Sequence, residues 1–217
     1  QVMDAVAKTA RRENKKLLQT NIGVDHHGYT TAVRDEKKKD ERNLRLFERA
    51  VELDPDNAYL WFKYGDHLRR TDDVEGVCRA FATACELVRA MPRRESKELS
   101  YAGEVFAQLA LEYVRAERYE EAGTLLDEAK AARYDATPML HWVDGHYALG
   151  VEDWVRAKKS FQACHELEGK VLHIPAQPGI TGGRSVWGIG RALLGLGFTG
   201  DAEQMFIRGA DRYPEDR

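Results

Sequence analysis

Residues 57–87 read NAYLWFKYGDHLRRTDDVEGVCRAFATACEL, and two amphipathic segments can be picked out within them. At helical spacing Trp61, Tyr64, Gly65 and Leu68 fall on the first, and Val77, Phe81 and Ala84 on the second. Thr71-Asp72-Asp73 between them has the composition of a short turn that ends in a helix cap. Two antiparallel helices joined so tightly need large side chains between them and a small one where the backbones come closest. Trp61 and Phe81 are placed for the first task, and Gly65 for the second.

The arrangement recurs downstream. Phe106, Leu109, Ala110 and Tyr113 precede Ala122, Leu126 and Ala129. His141, Gly145 and Ala148 precede Ala157, Phe161 and Cys164; Val186, Ile189, Gly190 and Leu193 precede Ala202, Phe206 and Pro214. Val77, Ala122, Ala157 and Ala202 hold one position of the second helix, at intervals of 45, 35 and 45 residues. Upstream, Phe47, Ala50, Leu53 and Pro55 have the spacing of a second helix alone, closed by its proline. These residues resemble the W-x2-L-G-x2-Y…A-x3-F pattern of the tetratricopeptide repeat (TPR), whose unit is ~34 residues long. The expectation is an all-α, TPR-like right-handed helical solenoid with an N-terminal helical extension. A helix and irregular linker occupy 1–30, followed by a half-repeat over 31–56. Repeats run over about 57–90, 102–136, 137–169 and 183–217.

Composition agrees with that architecture. The 217 residues are 43% hydrophobic and 32% charged with only 6 prolines, as suits a helix-rich chain. A formal net charge of -3 gives no sign of a nucleic-acid partner, and no apolar run reaches the ~20 residues that span a bilayer. Arg11-Arg12 and Lys15-Lys16 sit on a basic amphipathic segment over 2–19, which reads first as a solvated helix face and second as an anion-contacting one. Cys78, Cys85 and Cys164 lack CxxC spacing and read as small buried residues in a reducing, cytoplasmic setting.

The two longer intervals locate insertions. VRAMPRRESKEL is expected to prolong a helix past Leu87, break it near Pro92 and re-enter helix near Ser96. EGKVLHIPAQPGITGGRS makes a long loop over 169–185, either packing Val171, Leu172 and Ile174 over the solenoid edge or meeting a ligand.

Catalytic constellations are absent from the sequence. Asp54-Pro55-Asp56 falls in an inter-repeat turn, where Pro55 stops one helix and Asp56 or Asn57 caps the next. The seven histidines show no metal-binding spacing, and no nucleophile motif surrounds a Ser or Cys. No catalytic residue and no cofactor is expected.

The TPR resemblance implies that the first helix of each repeat lines a concave groove. Mapped onto this sequence, Tyr59, Phe62, Asp66, Arg69 and Arg70 face inward from the first repeat, and Leu111, Val114 and Arg115 from the second. Met139, Trp142, His146 and Leu149 follow from the third, and Trp187, Arg191 and Leu194 from the fourth. Such a groove is aromatic with a basic component, suited to an acidic extended peptide or to sugars stacked on Trp142 and Trp187. Alternatively, the N-terminal segment or the 169–185 loop covers some of these rings.

Residues 25–65 carry a second resemblance. His26, Gly28, Tyr29, the Lys37–Lys39 run and Arg42-Asn43-Leu44 are similar to the junction at which some bacterial family 2 glycosyltransferases pass from catalytic domain to TPR extension. It implies that His26 lies near a metal-diphosphate site, the one metal contact suggested anywhere in the chain. No nucleotide-binding βαβ region precedes it, so this chain would serve such a transferase without catalysing the transfer. The main expectation is therefore a scaffold binding a protein, peptide or glycan partner in the groove. The alternative is the C-terminal TPR portion of a glycosyltransferase, positioning its acceptor. Oligomeric state is not legible.

Overall fold

Short turns cut the chain into ten α-helices among the described residues, which in this computed structural model are 12, 13, 15, 39–134, 137–170, 172 and 176–216. They are α1 (Lys39–Leu53), α2 (Ala58–Leu68), α3 (Val74–Ala90), α4 (Arg93–Glu98) and α5 (Ala102–Arg115). After them come α6 (Tyr119–Ala132), α7 (Pro138–Gly150), α8 (Trp154–His165), α9 (Gly183–Gly195) and α10 (Thr199–Arg212), with a closing 3-10 turn at Pro214–Asp216. The described residues contain no strand. Two units are distinguished, Gln1–Lys39 and Asp40–Arg217. The first is described only at Arg12, Glu13, Lys15 and Lys39, where Lys15 meets Glu13 at 2.6 Å. The rest of the expected basic helix, the His26-Gly28-Tyr29 stretch and the charged run before Lys39 lie outside the described residues.

Local chemistry accounts for the helix boundaries. Asn57 Oδ1 accepts from Leu60 N at 3.2 Å, Asp73 Oδ1 from Gly76 N at 2.8 Å, Thr137 Oγ1 from Leu140 N at 3.1 Å and Asp153 Oδ1 from Arg156 N at 3.0 Å. Each satisfies an amide that the first helical turn leaves without a partner. Asn57 also donates to Asp54 at 2.8 Å, and the Trp61 indole N–H donates to Pro55 O at 2.8 Å. Trp61 is thus half-buried and pins the turn, in place of the interface-filling role expected of it. Pro92 breaks the chain as expected, but the next helix begins immediately after it, at Arg93.

Within Asp40–Arg217, α2 packs on α3, α5 on α6, α7 on α8 and α9 on α10, and each pair stacks on the next through α3·α5, α6·α7 and α8·α9. One exchange of volume organises every pair. A side chain at Gly65, Gly145 or Gly190 would come within 2.8, 2.7 or 2.4 Å of the ring of Phe81, Phe161 or Phe206 respectively. In the second pair the same spacing joins Ala110 to Leu126, both fully buried, so a larger residue on one helix faces a smaller one on the other. Phe161 also lies 2.6 Å from where a side chain at Gly188 would begin, so one ring holds α7, α8 and α9 together.

The 169–182 connection contributes to the core through a residue other than those anticipated. Ile180 is 1% exposed and joins the main apolar cluster, whereas Leu172 is half-buried and Val171 and Ile174 lie outside the described residues. Cys164 donates to Pro138 O at 3.2 Å and Ile180 O at 3.3 Å, tying this connection to α7 and α8. Burial pushes the Cys164 thiol up to about 11 and that of Cys85 to about 12, which leaves both unreactive; Cys78 is only half-buried.

Candidate functional site

Helices α2, α5, α7 and α9 supply the inward-facing positions, and the structure sorts these into three groups. The first is core. Phe62 is 8% exposed and packs against Phe81 and Tyr101, with ring centroids 6.2 Å apart in each case. Leu111, Met139 and Leu149 are buried as well. Helices α5, α7 and α9 each pack on three or more neighbouring helices, and Phe62 of α2 meets rings on both α3 and the turn before α5, so the apolar arcs are wider than the repeat register suggests.

The second group is neutralised locally. Arg69 lies over the Phe81 ring at 4.7 Å and bonds Glu112 of α5 at 2.6 Å. It also donates to the side chain and, at 3.2 Å, the carbonyl of Gln108. Gln108 in turn donates to Glu104 at 2.7 Å. Burial raises the Glu104 carboxyl, and hydrogen bonds from Gln108 and Thr137 reduce that rise without abolishing it. Arg70 pairs with Asp40 at 3.1 Å, Asp66 with Lys63 at 2.9 Å and Arg115 with Glu112 at 3.1 Å. Tyr59 meets Tyr101 edge-on, with centroids 5.2 Å apart.

The third group surrounds a cavity of about 600 Å³ between α7, α9 and α10. Helix α7 packs broadly on α5 but only narrowly on α9, and the space so left is bounded by Trp142, His146, Arg184, Trp187, Phe206 and Tyr213. Trp142 and His146 are one helical turn apart, with ring centroids separated by 4.1 Å, and His146 meets Phe161 edge-on at 5.2 Å. Burial, reinforced by the nearby Arg191 charge, lowers His146 to about 4, so the imidazole is neutral near pH 7. Arg191 lies 5.3 Å from the centroid of Trp187, which is 56% exposed, and Trp187 leans on Phe206 at 6.3 Å. Tyr213 is held by a 2.8 Å hydrogen bond to Glu168, which also pairs with Arg212 at 2.8 Å.

Two features distinguish this cavity from the rest of the inward face. The Trp142 indole N–H is buried and has no acceptor among the described residues. Arg184 and Arg191 are exposed and pair with no carboxylate among them. Three residues expected in the groove (Trp142, His146 and Trp187) therefore meet on the cavity wall, and a fourth, Arg191, lies beside them over the Trp187 ring. Arg184 and Tyr213 belong to no position of the repeat pattern, so periodicity does not mark them. Phe206 occupies a core position of the repeat, yet it is half-buried and forms a cavity wall.

The groups most charged on paper serve the framework instead. Asp144, 2% exposed, accepts from Lys130 at 2.6 Å, from Arg156 at 2.7 Å and from Ser160. Burial acts to raise its carboxyl, but these bonds hold it below the usual carboxylate range. Among the described residues no three His, Cys, Asp or Glu side chains converge as a metal site would require, and no helix is long and apolar enough to cross a membrane. His26 lies outside the described residues.

No family model matches the chain, and no curated protein matches it. Solved structures do. A crystal structure of MamA superposes with a TM-score of 0.61 over 90% of this chain and 98% of that one, at 14% identity. YrrB, described as a TPR protein with an unusual peptide-binding site, superposes with a TM-score of 0.56 over 77% of this chain and 75% of that one, at 19% identity. At such identities the likeness is one of fold. This chain has the fold of a TPR-like helical solenoid.

Proposed function

We propose that this solenoid is an interaction scaffold that holds a peptide segment of a partner protein on its inward face. The observation carrying this reading is the aromatic and basic cluster of Trp142, His146, Trp187 and Arg191, drawn from two successive first helices and left open to solvent. An exposed indole stacked with a guanidinium offers rigid contact area and charge at low ordering cost, as peptide-binding surfaces require. YrrB, which shares the fold, is a TPR protein with a peptide-binding site, and that likeness supports a peptide over other partners. The alternative, a C-terminal part of a family 2 glycosyltransferase, rests on the resemblance over residues 25–65, of which only those from Lys39 are described.

Panning a random 12-residue peptide library against the whole chain tests the proposal. Recovered peptides should bind the folded chain saturably in fluorescence anisotropy. Combined Trp142→Ala and Arg191→Ala should weaken them while the far-ultraviolet dichroism stays unchanged. If no peptide is enriched over the blank support, the scaffold reading falls.

A further inference from the structure

Resting on that scaffold reading, we infer that the cavity between α7, α9 and α10 is an anchor pocket for a bulky apolar side chain of a partner peptide, with acidic residues beside it. The cavity lies where the last two helix pairs leave the inward face incompletely filled. Its volume of about 600 Å³ is well beyond a packing defect and within the range of about 300–1,000 Å³ typical of ligand pockets. Trp142, Val186, Phe206 and the Tyr213 ring make its walls largely apolar, and Gly183 and Gly209 leave space where side chains would otherwise intrude. An aliphatic or aromatic side chain is the natural filler, because burying it removes apolar surface from water on both partners.

The polar groups specify what accompanies that side chain. The buried Trp142 N–H is a donor without an acceptor among the described residues, an arrangement that costs free energy until an oxygen reaches it. Arg184 on the cavity wall and Arg191 beside it, over the Trp187 ring, add two guanidinium groups that no described carboxylate neutralises. Among the cavity-lining residues there is no Asp, Glu, Asn or Gln. The Tyr213 hydroxyl is committed to Glu168. Apart from one nitrogen of the neutral His146 ring, the side chains there offer donors rather than acceptors. A sugar, whose hydroxyl groups need both, is poorly served there; carboxylates and peptide carbonyls, which only accept, are well served. A basic peptide would be repelled by the same two arginines.

Peptides recovered from the 12-residue library are expected to share a Trp, Phe, Leu, Ile or Met next to Asp or Glu. For a synthetic copy of the strongest, Arg184→Ala with Arg191→Ala should weaken binding about tenfold or more, as loss of charge-assisted hydrogen bonds does. Trp142→Phe, which keeps an aromatic ring and removes the N–H, should weaken it several-fold. Changing the peptide's Asp and Glu to Asn and Gln should reproduce the arginine loss, and the two changes together should cost little more than either alone. Thermal melts of each variant show whether it remains folded.

Peptides that bind but are basic, or are indifferent to Arg184, Arg191 and Trp142, would overturn the anchor pocket and leave the scaffold reading standing. Recovery of no peptide would remove both. If sedimentation velocity shows the chain self-associating and Trp187→Ser abolishes this, a second copy occupies the cavity and the peptide assignment is wrong.

Discussion

The junction between α2 and α5 and the junction between α7 and α9 hold the same kind of group in opposite circumstances. In the first, Arg69 stacks on Phe81 and is enclosed by Glu112 and Gln108 from the next helix. In the second, Arg191 stacks on Trp187 and lies near His146, which presents a neutral ring. The arginine is structural where its neighbour supplies carboxylates and available where it does not. Register in a repeat thus places a side chain on the inward face, but the adjacent helix decides whether it can bind anything else.

The closed junction is the more fragile to mutation. Arg69→Ala leaves Glu112 and Gln108 buried with only Arg115 still in reach, and breaking a buried pair from one side costs about 3 kcal/mol. Urea unfolding at pH 7 should show that loss as a lower midpoint at unchanged slope. A loss below about 1 kcal/mol would mean that apolar packing, rather than the ion pair, closes this junction.

Acid acts on the open junction instead. Unfolded, the His146 imidazole takes a proton as the pH falls through its ordinary 6.5; folded, it refuses one until about 4. Stability tied to the neutral ring is therefore present above 6.5 and lost between those values, by up to about 3 kcal/mol. The groups facing it are Arg191 from α9 and the rings of Trp142 and Phe161, none of which can compensate an imidazolium. Urea midpoints at pH 7 and pH 4.5 should differ much more for the native chain than for His146→Phe. Equal acid losses in the two would show that the ring is already hydrated.

How far sequence reaches is visible in the same two junctions. The Gly65–Phe81, Gly145–Phe161 and Gly190–Phe206 exchanges are local, each spanning a single helix pair at constant spacing, so periodicity reveals them. Even the Ala110–Leu126 variant keeps that spacing. The enclosure of Arg69 is not local: its partners Gln108 and Glu112 are 39 and 43 residues away, and nothing in residues 57–87 records them. Periodicity puts Phe62 in the groove for the same reason, since Tyr101, the ring that stacks on it, lies beyond the insertion. Ile180 shows the converse, an apolar residue in a Gly- and Pro-rich loop whose burial no periodicity could announce. The pattern assigns Trp142, His146, Trp187 and Arg191 to the inward face, but the cavity that Trp142, His146 and Trp187 share depends on how narrowly α7 meets α9.

Glu104 provides a smaller and opposite effect within the closed junction. Its carboxyl is raised above the ordinary 4.5, so as the pH climbs through the folded value the native chain gives up a proton in a site that favours the neutral form. Stability falls as the pH rises there. Glu104→Gln keeps an oxygen to accept from Gln108 and carries no charge, and should raise the urea midpoint slightly at pH 7. The gain should vanish once the native carboxyl is protonated. A loss at pH 7 would show that Glu104 is held as an anion by Arg69 through the same network.

Arg191→Ala should have the least effect of all on stability, and that smallness separates an available group from a structural one. The side chain is exposed and pairs with no described carboxylate, so the loss expected is the 0–0.5 kcal/mol usual for surface positions. Its stacking on Trp187 adds little, because the indole is itself largely in water. The same change removes the positive charge that helps keep His146 neutral, so the drop in midpoint between pH 7 and pH 4.5 should shrink slightly. A loss above about 1.5 kcal/mol at pH 7 would contradict this reading: Arg191 would then be closing its junction as Arg69 does, and would not be free to meet an acidic partner.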